Sequence, residues 1–160
     1  MGMDLIVKEA GVAINTLYKY FPSKDKLVEE YLLRRDARWL YWLTSSVNKV
    51  KGPRERLLAI FDALDEWFQS TEFRGCAFIN AAGEVGEERA GITRVIREHK
   101  SNLYIFIKSV VKEAGIIDAD KVTKQLMLLV EGAIINAQLA INPDAARCAR
   151  ETAELILKQH

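Results

Sequence analysis

Apolar residues recur three and four positions apart along almost the whole chain, and this spacing constrains its fold more than any other feature. It places one apolar stripe on each of a series of α-helices, whereas half-buried strands would need alternation with a period of two. The three prolines, Pro22, Pro53 and Pro143, each stand where a helix is expected to begin. The sequence therefore predicts an all-α fold.

The periodic segments and the glycines and prolines between them predict eight helices. These cover residues 4–10, 13–20, 24–49, 54–70, 76–85, 88–114, 119–140 and 144–158. No linker composition separates two domains, so the predicted boundary lies inside the third helix. We expect a small head, residues 1–34, joined through that helix to a larger body, residues 35–160.

The overall charge limits the kinds of partner. The chain has 160 residues, 49% of them hydrophobic, and its formal net charge is only +1. A protein that coats nucleic acid would be strongly basic, so this balance favours contact with DNA through one small face. The two cysteines, Cys76 and Cys148, form no CxxC pair, which predicts a reducing compartment and a cytoplasmic protein. No apolar run approaches the ~20 residues that would span a membrane.

Neither a metal site, a cofactor nor a catalytic set is predicted. Two histidines and two distant cysteines provide no ligand spacing, and no glycine-rich phosphate loop is present. No Ser-His-acid set can be argued either, so we expect a protein that is not an enzyme. One rival hypothesis remains, a small helical enzyme with Cys76 as its nucleophile, and loss of activity on thiol alkylation would be its test.

Residues 8–26, KEAGVAINTLYKYFPSKDK, have the form of a helix-turn-helix unit. Gly11 provides a tight turn between two short helices, and Ser23 caps the entry into a long third helix. An exposed face bearing an aliphatic group, an amide, a phenol and an ammonium can contact the edges of DNA bases. The predicted reader face consists of Ile14, Asn15, Tyr18 and Lys19.

The start of the third helix is a candidate phosphate site. Free backbone N–H groups at a helix N-terminus attract anions, and Lys24 adds a full positive charge there. Two interpretations stay open for this point and for the reader face. The reader face either contacts DNA bases or is a solvated helix surface. The start of the third helix either binds a DNA phosphate or is an ordinary surface helix that Ser23 caps.

The segment AGVAINTLYKYFPSKDKL resembles the second half of the DNA-binding domain of the tetracycline-repressor (TetR) family. The positions that match the family signature in register are Ala10, Gly11, Val12, Thr16, Leu17, Tyr18, Tyr20, Phe21, Ser23 and Lys24. The stretch FRGCAFINAAGE, residues 73–84, is also similar to one found in many members. The resemblance implies a homodimeric DNA-binding regulator with a helical body that binds a small-molecule effector.

Carried over by position, the resemblance assigns DNA contacts. Ile14, Asn15 and Lys19 match base-reading positions, whereas Thr16, Tyr20 and Lys24 match phosphate contacts. Tyr18 matches a position used for either. The chain departs from the family at Ala13, where a serine cap is common, and this change costs the helix ~1 kcal/mol.

A second departure concerns the family's first helix, which has no counterpart among these 160 residues. We therefore expect Ile6, Val7 and Phe21 to be less covered than in a complete head.

Aromatic residues concentrate between positions 39 and 78, and His99 falls on the apolar stripe of the sixth helix. Such composition is typical either of a core or of an apolar cavity for flat small molecules with a few polar groups. The resemblance favours the cavity. The predicted effector contacts are Trp42, Trp67, Cys76, Phe78, Asn80, His99 and Phe106. The alternative for His99 is a core histidine that is hydrogen-bonded to a backbone carbonyl or a tyrosine.

The last two helices are predicted to form a dimer interface. Residues 126–141 are apolar nearly all round, and their small residues would allow a second helix to approach closely. Two such helices from each of two chains would build a four-helix bundle about a two-fold axis. The predicted interface residues are Leu129, Gly132, Ala133, Asn136, Ala137, Ala140, Ala149, Thr152 and Ile156. Alternatively, these helices only close the core of one chain.

Together these features predict a ligand-responsive DNA-binding transcriptional regulator. We expect a repressor whose partners are itself, a palindromic double-stranded DNA operator and a small apolar or aromatic effector, with no membrane. The alternative is a dimeric sensor or interaction module that no longer binds DNA because its head is truncated.

Overall fold

The computed structural model describes residues 2–85 and 89–160, and within these residues it contains eight α-helices and no strand. The helices are α1 (Met3–Ala10), α2 (Ile14–Tyr20), α3 (Lys24–Val47), α4 (Pro53–Gln69), α5 (Ala77–Glu84), α6 (Ala90–Glu113), α7 (Ala119–Gln138) and α8 (Ala145–Lys158). The predicted all-α fold is confirmed, and the described helix ends agree with the predicted ones to within two residues. The predicted first residue of the sixth helix, Glu88, lies outside the described residues.

Local capping explains most of the helix ends. The Ser23 hydroxyl accepts a 3.2 Å hydrogen bond from the backbone N–H of Lys26, as expected of an N-cap. Gly11 ends α1 in the left-handed conformation, with φ of +64°, which a residue with a Cβ adopts only with strain. Pro53 is the first residue of α4.

The prediction that Pro143 opens the last helix is wrong. The side chain of Asn142 accepts a 2.9 Å hydrogen bond from the backbone N–H of Asp144 and closes a turn around the proline. Consequently α8 begins only at Ala145.

The head is made of α1, α2 and the start of α3. Leu17 is the only residue of α2 that is buried, at 8% exposure, and none of α1 is buried. Ile6, Val7 and Phe21 are half-buried. Ala13 precedes α2 without a side-chain hydrogen bond, so this helix begins uncapped.

The long helix α3 connects the head to the body. Its 24 residues correspond to about 36 Å at the usual rise of ~1.5 Å per residue. Leu32, Leu43 and Val47 enter the body's core, where they pack with α4 and α6. Helix α6 runs alongside α3 in the same direction, because Glu29 adjoins Gly91 and Asp36 bonds to His99 further along both helices.

The core of the body lies among α3, α4, α6, α7 and α8. Helix α8 turns its small side chains inward against α4 and α7, and its buried residues are Ala145, Ala146, Ala149, Ala153 and Leu157. Within the part of the chain that is described, no helix is both long and apolar enough to cross a membrane.

Candidate functional site

Helix α2 presents nearly its whole surface to solvent. All seven residues predicted to contact DNA are exposed, namely Ile14, Asn15, Thr16, Tyr18, Lys19, Tyr20 and Lys24. Leu17 anchors the helix by turning inward, which leaves the polar and aromatic groups on the outside. Three large hydrophobic side chains stay on this surface, since Ile14 is 41%, Tyr18 45% and Tyr20 68% exposed. A surface of this composition suits contact with a partner better than contact with water alone.

The beginning of α3 stands beside this reader face. Lys24 is the first residue of α3, directly after the Ser23 cap, where backbone N–H groups lack helical partners. The neighbouring Asp25 lies 3.7 Å from Arg89 of the segment that leads into α6. Among the described residues the ammonium of Lys24 forms no ion pair, and its charge favours an anion at this helix end.

A cleft of about 520 Å³ opens between α3 and the end of α4. The chain's three tryptophans, Trp39, Trp42 and Trp67, line it together, with ring centroids 5.8 to 6.1 Å apart. Their rings meet edge to face or tilted, and these arrangements are favourable for aromatic pairs. The cluster gives the cleft a broad aromatic surface.

The walls of this cleft carry charges of opposite sign. Arg35 and Arg38 project from α3, whereas Glu66 belongs to α4 and Glu72 to the turn that follows it. Among the described residues none of these four groups forms an ion pair. The cleft is therefore more polar than the predicted apolar cavity with a few polar groups, because four charged side chains border its aromatic surface.

His99 lies directly behind the tryptophan cluster. It is 2% exposed, stacks on Phe78 with a centroid separation of 3.6 Å, and meets Trp39 edge to face. Its Nδ1 bonds at 2.7 Å to Asp36 of α3, whose other carboxylate oxygen accepts a 3.1 Å bond from Asn102. His99 is thus an interior histidine, but its partner is a carboxylate rather than the backbone carbonyl or tyrosine that was expected.

Burial determines the protonation of His99. Removal from water lowers its pKa below the usual 6.5, and the nearby Lys100 ammonium acts in the same direction. The hydrogen bond to Asp36 opposes this shift without overcoming it. A neutral ring with its proton on Nδ1 can donate this hydrogen bond to a carboxylate oxygen, which accepts it.

Five of the seven predicted effector residues lie in or next to the cleft, at three depths. Trp42 and Trp67 line the cleft. Cys76 and Phe78 lie deeper, around a second, small cavity that Arg35, Trp39 and Trp67 also border. His99 does not line either cavity but contacts two residues of the inner one, Phe78 and Trp39.

The structure moves Asn80 and Phe106 out of the predicted effector site. The exposed Asn80 donates to the backbone carbonyl of Arg74 and accepts from Gln138 at 2.7 Å, so it ties α5 to α7. Phe106 borders a different cavity, at the far end of α3, together with Thr44. The cleft residues that sequence reasoning missed are Arg35, Arg38, Trp39, Tyr41, Glu66, Ser70 and Glu72.

Cys76 is buried beside a lysine and a glutamate. Lys100 Nζ lies 3.6 Å from its sulfur and 2.7 Å from Glu131 of α7. Within the described residues Cys76 has no hydrogen bond to His99, so the Cys-His pair that the rival enzyme hypothesis would need is not formed there. In residues 2–85 and 89–160 no cluster of three or more histidine, cysteine or acidic residues has metal-binding geometry.

The predicted dimer residues fall on two sides of α7 and α8. Gly132, Ala140 and Thr152 are exposed. Leu129, Asn136, Ala137 and Ile156 are half-buried. Ala133 and Ala149 are already buried against the chain's own helices, so they cannot also present a surface to a second chain. Large apolar groups nearby remain open, since Leu128 is 74% and Leu155 61% exposed.

Among the described residues a close contact joins the head to the start of α6, beside the pair formed by Asp25 and Arg89. Glu29 of α3 is buried, bonds at 2.7 Å to Lys26, and lies so close to Gly91 that a Cβ there would overlap its carboxylate. Gly91 belongs to the first turn of α6. A movement of α6 relative to α3 would therefore displace the part of α3 that lies next to α2, the reader helix, which carries the predicted reader face.

Two family models match the sequence. The one described as "Bacterial regulatory proteins, tetR family" matches residues 1–31, and the one described as "Tetracyclin repressor-like, C-terminal domain" matches residues 53–153. The chain belongs to the TetR family. In the TetR protein the first match covers α1, α2 and the start of α3. The second match covers the body from the start of α4 into α8.

Several proteins are similar to this TetR protein over nearly all of its chain. It is 23% identical to the HTH-type transcriptional regulator YjdC of Escherichia coli over 98% of this chain and 82% of that protein. The crystal structure of SCO4454, a TetR-family transcriptional regulator from Streptomyces coelicolor, superposes with a TM-score of 0.91 at 25% identity, over 99% of this chain and 84% of that one. The crystal structure of a TetR-type regulator from Streptomyces avermitilis superposes with a TM-score of 0.82 at 25% identity, over 96% of this chain and 87% of that one.

The family establishes what kind of molecule this is. TetR-family proteins are ligand-responsive DNA-binding transcriptional regulators rather than enzymes, and the protein is such a regulator. Members of the family act as dimers on DNA operators and respond to small molecules. The exposed reader face, the aromatic cleft and the exposed apolar groups of α7 and α8 are the features of this chain available for those three tasks.

Proposed function

We propose that the protein is a repressor that binds a palindromic operator as a homodimer and is released by a small aromatic effector. The observation that carries this proposal is the continuity of α3, which runs from the Ser23 cap beside the reader helix to Trp39 and Trp42 in the cleft. From Lys24 to Trp42 this rod extends over ~27 Å, at ~1.5 Å per residue.

The reader face performs the operator contact. Ile14, Asn15 and Lys19 reach base edges in the major groove, and the amide of Asn15 offers a bidentate pair to adenine. Thr16, Tyr20 and Lys24 hold phosphates, and Tyr18 serves either purpose. The exposure of all seven side chains supports these roles. Because operator DNA lies in the bacterial cytoplasm, we place the protein's action there.

The tryptophan cleft receives the effector. Its volume of about 520 Å³ lies within the usual range of small-molecule sites, ~300–1,000 Å³. A flat ring inserted against Trp39, Trp42 and Trp67 would move α3 relative to α4. Since α3 also carries the head, a small tilt changes the position of the reader helix. The effector shifts this equilibrium only as far as it binds one arrangement better than the other.

Helices α7 and α8 form the dimer contact. Gly132 is exposed, and within residues 2–85 and 89–160 no atom lies within 4 Å of the position of a Cβ, so a partner helix can approach the α7 backbone there. Leu128 and Leu155 add exposed apolar surface. Leu129, Asn136, Ala137, Ala140, Thr152 and Ile156 complete the proposed interface.

The test measures whether a ligand that binds in the cleft changes the affinity for DNA. Aromatic compounds that raise the melting temperature are titrated while tryptophan fluorescence and the anisotropy of a labelled operator duplex are followed. Ligands that change the fluorescence should release the duplex, and Trp42→Ala should weaken both effects together. Ligands that change the fluorescence while the duplex stays fully bound would contradict the proposal.

A further inference from the structure

We infer that the tryptophan cleft takes a small aromatic zwitterion, that is, a flat ring whose side chain carries one anionic and one cationic group. This inference rests on the proposed function of the cleft and names the chemistry of its ligand. The anionic group binds between Arg35 and Arg38, the ring lies against the tryptophans, and the cationic group binds beside Glu66 and Glu72.

The arginine wall is built by helical spacing. Arg35 and Arg38 are one turn apart on α3, and Trp39 and Trp42 follow on the same side, so all four border one cleft. Arg35 is half-buried and also borders the inner cavity behind Trp67. Guanidinium groups stay charged at all relevant pH values and match a carboxylate with two parallel hydrogen bonds.

Trp39 adds a further donor to this wall. Its indole Nε1 is buried and has no acceptor among the described residues. A buried donor without a partner is costly, so an acceptor oxygen brought in by a ligand would be stabilised there. The deepest polar groups of the cleft, Arg35 and Trp39, therefore both favour a ligand that accepts hydrogen bonds.

The opposite wall selects the other charge. Glu66 and Glu72 lie on either side of Ser70, at the end of α4 and in the turn after it. A cationic group between them would also face the π surface of Trp67, and this contact is attractive for ammonium groups.

The two walls together exclude a ligand of a single charge as the best fit. An aromatic acid would pair with the arginines but bring its carboxylate into a cleft that already holds two glutamates. An aromatic amine would pair with the glutamates but bring its positive charge into a cleft that already holds two arginines. Because none of the four charged groups is paired with a described residue, a ligand with both charges can compensate both walls at once.

Three probes with the same ring separate these cases. Phenylalanine carries both charges, 3-phenylpropionate only the anion and 2-phenylethylamine only the cation. All three tryptophans of the chain line the cleft, so fluorescence excited at the red edge of tryptophan absorption reports on this site alone. Calorimetry gives the affinities, and the corresponding naphthyl series extends the comparison to a larger ring. The zwitterion should bind about threefold or more tighter than either singly charged probe in at least one series.

Charge-removing variants assign the two ends. Arg35→Gln should weaken binding of phenylalanine and phenylpropionate while leaving phenylethylamine unchanged, and Glu66→Gln should show the opposite pattern. Arg97→Gln, an exposed arginine of α6, is the matched control and should leave all three affinities unchanged. Equal affinities for the three probes, absence of binding in both ring series, or a singly charged probe that binds tightest would overturn the inference.

These outcomes are distinct from failure of the proposed function. If uncharged aromatic compounds bind in the cleft and release DNA while zwitterions do not bind, the effector function stands and the ligand class is wrong. If zwitterions bind with the predicted variant pattern but leave DNA binding unchanged, the ligand class stands and the regulatory function of the cleft is wrong.

Discussion

The imidazole of His99 donates a 2.7 Å hydrogen bond from Nδ1 to the carboxylate of Asp36, and this bond joins α6 to the rod that carries the head. The two residues are 63 positions apart in the chain, and the histidine ring is stacked on Phe78. A buried polar pair of this kind fixes the register of two parallel helices, because sliding either one would leave both groups without partners.

The pH dependence of stability should report on this pair. Burial lowers the pKa of His99 below 6.5 in the folded protein, so in acid the unfolded chain binds a proton that the folded chain does not. The free energy of unfolding should therefore fall as the pH drops below ~6.5, by at most ~1.4 kcal/mol per pH unit from this group.

Denaturant titrations between pH 5 and 8 measure this slope. His99→Gln should be less stable at neutral pH and should lose the histidine part of the slope. The chain's second histidine, His160, is exposed, so His160→Gln is the matched control and should behave like the parent protein. A slope that is unchanged in His99→Gln would show that the ring is protonated equally in both states.

The close contact at Gly91 predicts a second effect. In Gly91→Ala the new methyl group would overlap the Glu29 carboxylate, which is buried and bonded to Lys26. Overpacking of this kind costs about 1–3 kcal/mol, and it displaces α3 next to the head, so both stability and operator affinity should decrease.

Gly83→Ala is the control, since no described residue lies within 4 Å of the position of a Cβ at Gly83 of α5. This variant should be neutral or stabilised by up to ~1 kcal/mol in thermal melts. If the two alanine variants melt alike, Glu29 is not held against α6.

The proposed dimer contact can be tested at Gly132. Gly132→Leu should leave the single chain folded, because none of the residues that the structure describes lies within 4 Å of the Cβ position, but it should block a closely approaching partner helix. We expect the dimer dissociation constant, measured by analytical ultracentrifugation, to rise by about tenfold or more. Gly83→Leu provides the same change outside α7 and α8. A dimer of unchanged affinity in Gly132→Leu would place the interface elsewhere.

Lys24 should contribute one ionic contact to DNA. Its removal in Lys24→Ala should weaken all duplex sequences alike and reduce the slope of log affinity against log salt by about 1. Fluorescence anisotropy at several salt concentrations measures this slope. Lys124→Ala removes an exposed lysine of α7 instead and should leave it unchanged. Equal slopes for Lys24→Ala and the parent would exclude the phosphate contact.

Helices were predictable from the sequence because their signals are local. The Ser23 cap, the left-handed turn at Gly11 and the three-four spacing of apolar residues each act within a few positions, and each is found as expected. The TetR resemblance and the exposure of the reader face followed from the same short segment. The exception, Pro143, arose because the Asn142 side chain bonds to the turn around the proline.

The candidate site was only partly predictable. The spacing of residues along a helix predicts which of them share a face, but it does not predict which cavity each of them borders. Phe106 shares the stripe of His99, yet seven residues correspond to ~10 Å of rise, so it borders another cavity. Conversely, the spacing of Arg35, Trp39 and Trp42 at one to two turns is a local signal that could have found the arginine wall. The contact between His99 and Asp36 could not have been found in this way, because no local pattern connects two residues that are 63 positions apart and lie on different helices.

Selection of operator sequences from random duplex DNA tests whether this chain reads DNA as a symmetric dimer through α2. We expect enrichment of an inverted repeat whose half-sites are centred one helical turn apart, ~34 Å, with preference at one base of each half-site relaxed in Asn15→Ala. Sequences without two-fold symmetry, or an enrichment that Asn15→Ala and Lys24→Ala leave untouched, would contradict reading by such a dimer.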